Sequence, residues 1–337
     1  LGNRILVTGG AGFIGSNFIR YLLNCEDVFI LNLDALTYAG NLNNLNDLNS
    51  HKKYAFCKGN INNYALIKKL ILDYQIDSII NFAAESHVDR SILDSSAFIE
   101  TNISGTANLL NIARDLEINR FLQISTDEVY GSLDKEGFFS ENTPISPNSP
   151  YSASKASADM LVKAYNHTYK LPTIITRCSN NYGPMQFPEK LIPLMILNAL
   201  ENKDLPVYGN GMNVRDWIYV TDHCEAIWTV FKNGNTGEVY NIGGNCEKTN
   251  IEIVKYILSS LRKDESLIKF VADRPGHDQR YAIDNSKISN ELGWHPKVNF
   301  EQGMMLTIDW YLNNNEWISQ VRNGEYMKFY EIMYKNR

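Results

Sequence analysis

The feature that most constrains this chain lies at its start. Arg4 to Thr8 reads as a short apolar strand, and Gly9-Gly10-Ala11-Gly12-Phe13-Ile14-Gly15 follows at once, before helical periodicity resumes through Leu23. Strand, glycine turn and helix in that order open a dinucleotide-binding βαβ unit. Glycines let the backbone turn tightly and approach a pyrophosphate, which rests on the helix N-terminus. Two frames fit: Gly10, Gly12 and Gly15 as G-x-G-x-x-G, and Gly9, Gly12 and Gly15 as a wider variant. The competing reading is a flexible turn, and the flanking elements weigh against it.

The second expected strand, Val28 to Leu33, ends at Asp34, near the ~20-residue distance at which a carboxylate binds adenosine ribose hydroxyls. Ala35-Leu36-Thr37 follow with no Arg or Lys to receive a 2′-phosphate, so NAD is preferred over NADP. A third strand, Tyr54 to Lys58, ends at Gly59-Asn60-Ile61, a plausible edge for adenine. A fourth, Ile76 to Phe82, ends in Ala83-Ala84-Glu85-Ser86-His87, where two alanines allow close backbone approach. His87 alone is more often a loop histidine, and is read as substrate-side lining. A helix from about Ala97 to Leu116 leads to a fifth strand, FLQISTDEVY (Phe121–Tyr130), whose apolar run stops at Ser125-Thr126-Asp127-Glu128. That is how the carboxyl end of a parallel strand looks, and ligands sit just beyond such ends. Tyr151 and Lys155 then share one face of the next helix. A turn after a strand and an ordinary surface pair are the bland readings of these two signals. A sixth strand, Thr173 to Cys178, completes an alternation that specifies an α/β, Rossmann-type doubly wound parallel sheet.

After Gly183 the pattern loosens. A helix is expected to begin at Glu189, followed by irregular, partly extended segments at Leu205–Gly209 and Val214–Trp217. A helix at Asp222–Phe231 and a strand at Gly237–Ile242, returning to the sheet or its neighbour, come next, then an amphipathic helix at Ile251–Leu261. Residues 1–182, with a returning segment at about 217–243, are therefore read as the dinucleotide domain. Residues 183–216 and 244–337 form a smaller mixed α/β domain for substrate. Tyr208 beside Pro206 offers either a stacking surface or a packing aromatic. Lys190, Arg215 and Arg274 suit a diphosphate if they converge, and are scattered surface charge if they do not.

Bulk properties narrow the partners. The 337 residues are 44% hydrophobic with a net charge of −6, which argues against nucleic acid or an anionic membrane. Five scattered cysteines without a C-x-x-C pair read as reduced thiols of a cytoplasmic protein, and the six histidines show no metal-type spacing. No membrane-length apolar run and no signal-peptide pattern are seen. The opening Leu1-Gly2-Asn3 lacks Met and reads as an added or trimmed end.

The segments TGGAGFIGS, AAESHVDRS, STDEVYG, RCSNNYGP, EKLIP, NVRDWIYVTDH and DRPGHDQRYA, with Asp34 and the Tyr151/Lys155 pair, resemble the extended short-chain dehydrogenase/reductases. Within them the similarity is to nucleotide-sugar 4,6-dehydratases, nearest those acting on dTDP-glucose, and runs from about Arg4 to Trp317. It implies a lyase of deoxysugar biosynthesis with NAD as cofactor, a nucleotide-diphosphate sugar as substrate, and a homodimer. In that family, helices matching Ala97–Leu116 and Ser152–Tyr169 pair across a two-fold axis. The resemblance makes Thr126, Asp127, Glu128, Tyr151 and Lys155 catalytic. Tyr151 would remove the sugar 4-hydroxyl proton, its pKa lowered by Lys155 and the nicotinamide charge, while Glu128 takes the C5 proton and Asp127 protonates the leaving 6-hydroxyl. It places Gly9, Gly12, Phe13, Ile14, Gly15, Asp34, Leu36, Thr37, Asn60, Ile61, Ala83, Ala84, Ser86, Thr101, Ser125, Cys178 and Asn180, with Tyr151 and Lys155, at the cofactor. It places Glu85, Ser86, His87, Thr126, Asn181, Glu189, Lys190, Leu191, Pro206, Tyr208, Arg215, Asn250, Arg274, His277 and Tyr281 at the substrate. Asn60 departs from a pattern that often has an acid there, and its amide oxygen can still accept from adenine. Other nucleotide-sugar dehydratases, a 4-epimerase (which usually has small residues in place of Asp127 and Glu128) and a non-catalytic NAD-binding protein are the alternatives.

Overall fold

The strand runs that alternate with helices assemble into one sheet because their side chains are apolar on both faces. In the computed structural model, which describes residues 4–322, Ile5 and Val7 of the first strand point into one core while Leu6 points into the other. Leu122 and Ile124 of the fifth strand likewise oppose Phe121. Period-two alternation of two apolar sets is what a sheet covered on both faces requires. Leu1–Asn3 and residues 323–337 lie outside the described residues, with the expectations attached to them.

Seven parallel strands form that sheet: β1 (Arg4–Thr8), β2 (Phe29–Asp34), β3 (Tyr54–Lys58), β4 (Ser78–Asn81), β5 (Arg120–Thr126), β6 (Thr173–Cys178) and β10 (Val239–Ile242), in the order β10-β6-β5-β4-β1-β2-β3. All of their pairings are parallel. Strand order reverses between β1 and β4, which opens a crevice at the carboxyl ends of those two strands. The segment expected to return at Gly237–Ile242 extends the sheet beside β6.

The remaining strands are β7 (Asn180–Tyr182), β8 (Leu205–Tyr208), β9 (Val214–Tyr219), β11 (Glu247–Thr249) and β12 (Ile268–Val271). They build a three-stranded sheet β11-β9-β7 and a parallel pair β12-β8. The segment expected to be irregular at Val214–Trp217 is the regular centre strand of the first, because its partners come from distant β7 and β11. A separate core of helices Leu191–Leu200, Asn250–Ser260 and Phe300–Asn313 backs these strands. The helix expected to start at Glu189 begins at Leu191, and extended Lys190 is its cap residue. Helix Ala97–Leu116 is also interrupted: Ile99–Gly105 is a π-helical turn leading into Thr106–Asp115.

Candidate active site

The glycine turn settles which frame operates. Gly9 has φ +69°, and a Cβ on it would stand 2.6 Å from the Ala83 backbone nitrogen, so only glycine fits there. Gly10 instead faces Asn32 and Ile19 inside the sheet–helix packing. Gly9, Gly12 and Gly15 line the cleft, and a Cβ on Gly12 would meet nothing nearer than the Gly9 carbonyl oxygen at 3.3 Å. Gly12 is the N-cap of helix Phe13–Cys25, so the cradle opens on that helix's unpaired N–H groups. At the end of β2, buried Asp34 accepts the Ala11 N–H at 2.9 Å and the Leu36 N–H at 2.8 Å. Burial pushes its carboxyl upward and those two donors pull it back.

One continuous cleft runs from this turn to the ends of β5 and β6. It is lined by Gly9, Gly12, Phe13, Ile14, Gly15, Asp34, Thr37, Asn60, Ile61, Ala83, Ala84, Ser86, Thr101, Ser125, Cys178 and Asn180 of the expected cofactor set. Thr126, Asp127, Glu128, Tyr151, Lys155, Glu85, Asn181, Glu189 and Lys190 line it as well. Leu36 is set back, its N–H on Asp34 and its φ at +54°. The Asn60 oxygen already accepts the Asn62 N–H at 2.8 Å. Ser125 Oγ and Asn180 Oδ1 are buried without a partner among the described residues. Glycine cradle, ribose-type carboxylate and two unmatched polar atoms are a donor and acceptor set that a dinucleotide fits.

The polar end of β5 turns directly into a 3-10 helix, Asp127–Tyr130, capped by Thr126. The Thr126 hydroxyl accepts the Glu128 N–H at 3.3 Å and donates to Asp127 Oδ1 at 3.3 Å. Helix Pro150–Tyr169 starts with a Ser149/Ser152 capping box and Pro150 in its first turn, and aims Tyr151 and Lys155 inward. The Thr126 hydroxyl acts to lower the Tyr151 phenol, and Lys155 donates to the Ile124 carbonyl at 2.7 Å. Burial lowers Lys155, with Asp159 one turn on opposing it.

The two carboxyls differ. Asp127 is buried, and desolvation followed by the Glu128 charge drives it well above the usual carboxylate range. Glu128 is half-buried and also raised by burial, but Arg274, Lys190 and Arg215 all pull it back. The three cations therefore converge on one carboxylate and are not scattered. Among the protein's own groups, burial, then Glu128, pushes the Tyr151 phenol well above the ordinary tyrosine value, so the expected lowering falls to the nicotinamide charge.

Beyond the cleft, Arg215 lies 4.3 Å over the Tyr281 ring and donates to the Asp278 carbonyl at 2.9 Å. Tyr281 donates its hydroxyl to Asp278. Tyr208, Arg274 and His277 group around Asp89. Pro206 is buried in β8, and Leu191 packs at the edge of the second core. Asn250 joins by relay, its N–H on the Asn213 carbonyl while the Asn213 amide donates to the Asp278 carbonyl. His87 is a buried cap of helix Val88–Leu93, held far below the usual histidine range by burial and Lys190. Glu189 is engaged inside the protein: it accepts the Tyr38 hydroxyl at 2.9 Å and Arg90 Nε–H at 3.1 Å, with Arg90 stacked 3.9 Å over Tyr38. Tyr38, Asp89, Arg90 and Asn102 are residues the sequence reading missed. Asp89 and Arg90 lie inside the AAESHVDRS segment, whereas Tyr38 carried no signal.

A family profile described as GDP-mannose 4,6 dehydratase matches residues 6–307. The chain belongs to the nucleotide-sugar 4,6-dehydratase family. It is 55% identical to dTDP-glucose 4,6-dehydratase of Xanthomonas campestris pv. campestris (strain B100), over 95% of this chain and 96% of that protein. Among solved structures, dTDP-glucose 4,6-dehydratase of Bacillus anthracis str. Ames in complex with NAD is 54% identical, with a TM-score of 0.90 over 95% of this chain and 100% of that one. DesIV, a dTDP-glucose 4,6-dehydratase of Streptomyces venezuelae with NAD and a second ligand bound, is 48% identical, with a TM-score of 0.91 over 93% and 98%. Members of this dehydratase family thus share the whole fold described above. Among the described residues no helix is long and apolar enough to cross a membrane.

Proposed function

We propose that the chain is an NAD-dependent dTDP-glucose 4,6-dehydratase, converting dTDP-glucose to dTDP-4-keto-6-deoxyglucose and water. The observation that carries this is the carboxyl pair at the end of β5. Asp127 is driven well up while Glu128 faces three cations, in the same cleft as Tyr151 and Thr126. Two carboxyls with separated proton affinities divide acid and base duties.

Each role follows from where the residue stands. Tyr151 takes the proton of the sugar 4-hydroxyl, and Thr126 orients that hydroxyl. Because the protein's own groups raise Tyr151, a positive charge beside it must make the phenol a usable base. The dinucleotide, when bound, supplies that charge and a reversible hydride store between C4 and C6, with no net oxidation. Gly9, Gly12, Gly15 and Asp34 would hold its pyrophosphate and ribose. A 4-ketone acidifies C5, and Glu128 removes that proton. Asp127, protonated, donates to the departing 6-hydroxyl; its Oδ2 is buried with no partner among the described residues, which leaves it available. Lys190, Arg215 and Arg274 would meet the diphosphate, and the Tyr208 ring would meet the base. Residues 1–182 with the returning segment then serve the cofactor, and 183–216 with 244–337 serve the nucleotide.

We also infer a homodimer. Helix Pro150–Tyr169 leaves Met160 56% exposed, and Ile99 and Leu93 are 52% and 62% exposed nearby in sequence on the helices that pack against it. Exposed apolar side chains on adjoining helices suit burial against a second copy.

Incubation with dTDP-glucose and with UDP-glucose, followed by product mass, tests the activity. The expected result is loss of one water from the dTDP sugar with NAD retained. Unchanged mass with inversion at C4 would mean epimerase, preference for the UDP sugar would move the substrate, and no turnover would mean a binding protein.

A further inference from the structure

Asp89 is buried at the point where the cofactor half and the nucleotide half of the site meet. It stands in the first turn of the short helix Val88–Leu93, after β4, and only 6% of it is exposed. Its carboxylate takes donors from two other elements. The Tyr208 hydroxyl donates to Oδ2 at 3.1 Å, and Arg274 Nη1–H donates to Oδ1 at 3.2 Å. Tyr208 ends β8, and Arg274 lies in the loop after β12, so neither is near Asp89 in sequence.

The second neighbour of the Tyr208 ring is also fixed. His277 meets it edge-on, with centroids 6.1 Å apart and planes at 84°. His277 Nδ1 donates to Asp273 at 2.6 Å, and burial with nearby Arg274 and Arg215 pushes the imidazole down to about 4. It is therefore neutral near pH 7 and does not compete for the Asp89 carboxylate. Tyr208 is thus tied at its hydroxyl by Asp89 and flanked by His277. Arg274 is held at one nitrogen while its charge still reaches Glu128. A buried carboxylate shared by a tyrosine and an arginine sets both side chains before a ligand arrives, and pre-set groups bind more tightly because less freedom is lost.

We propose that Asp89 is a positioning residue for nucleotide recognition, holding Tyr208 as the stacking face for a pyrimidine and Arg274 as a donor to the diphosphate. This rests on the nucleotide-sugar reading above. Asp89 itself brings a negative charge toward a diphosphate, so a purely electrostatic view makes the opposite forecast: its neutralisation should tighten binding.

The test is calorimetric titration of the NAD-loaded protein with dTDP, alongside steady-state kinetics on dTDP-glucose. Asp89→Asn should weaken dTDP by about 5–20-fold and raise KM by a similar factor, with kcat changed by less than about twofold. Tyr208→Phe keeps the ring but removes the same contact from the other side, and should weaken dTDP in the same direction. The double variant should be weaker than the parent by less than the product of the single effects, because the two changes break one shared interaction. Unchanged or tighter dTDP binding by Asp89→Asn, a loss confined to kcat, or fully multiplicative effects would overturn the inference. If Asp89→Asn does not fold, Tyr208→Phe with unaltered dTDP affinity overturns it by itself. A parent protein that fails to bind dTDP would overturn the nucleotide reading and this inference together, whereas a parent that binds while the variants bind equally well overturns only the inference.

Discussion

Thr126, Asp127 and Glu128 are consecutive, yet the backbone turn at the end of β5 gives each a separate environment. Extended Thr126 caps the 3-10 turn, so Asp127 is buried beneath it while Glu128 faces the cations. Histidine burial sets the pH response at the same scale. His223 is fully buried, hydrogen-bonded through Nδ1 to Asn181 at 2.8 Å, and pushed down to about 3 by desolvation; His277 is pushed to about 4. Below the usual histidine pKa of about 6.5, the unfolded chain takes protons that these folded imidazoles refuse. Their contribution to stability is therefore intact above pH 6.5 and lost as pH falls toward 4 and 3. For His223 the loss between pH 8 and pH 5 is about 2 kcal/mol. Chemical denaturation of the parent and of His223→Gln at both pH values checks this, and the variant should lose about 2 kcal/mol less than the parent over that interval. An equal loss in both would mean His223 titrates normally in the fold. Strand ends and a four-residue helix spacing marked many of the residues that line the cleft, whereas Asn250 and His277 came from the family resemblance alone. The direction of the Tyr151 shift was not legible, since it depends on burial and on Glu128, which no local pattern reports.

Among elements, the sheet strands were read correctly because each is a short apolar run bounded by turn residues. What escaped were elements made by distant partners. β9 is a strand because β7 and β11 flank it, and the π turn Ile99–Gly105 exists because Asn102 is claimed from outside its helix. The Asn102 amide donates to the Glu85 carbonyl at 3.0 Å and to Ser154 at 2.8 Å, and its oxygen accepts the Glu85 N–H at 2.9 Å. Within this segment Thr101 lines the cleft and Asn102 binds the Glu85 backbone, in keeping with the frequent placement of π turns at functional sites. The same helices carry the apolar face assigned to a second copy. Met160→Asp would place a charge in that interface, so light scattering at micromolar concentration should read a dimer for the parent and a monomer for the variant. A monomeric parent would remove the homodimer from the proposal.

At the scale of the whole molecule, the crevice at the β1/β4 reversal delivers a dinucleotide's reactive end to β5, while the second core brings cations from Lys190, Arg215 and Arg274 to the same point. Asp89 and Glu189 tie the two sides together, and neither tie was visible in sequence because each joins residues about a hundred or more positions apart. The central claim is that oxidation at C4 and loss of water are served by different groups. Its most direct test follows bound-NADH absorbance and product mass through a single turnover of dTDP-glucose. Tyr151→Phe should block NADH formation. The Asp127→Asn, Glu128→Gln double variant should form NADH and the 4-keto sugar, then lose water at least about 10²–10⁴-fold more slowly than the parent. Dehydration at the parental rate in the double variant would contradict the assignment of acid and base to this pair.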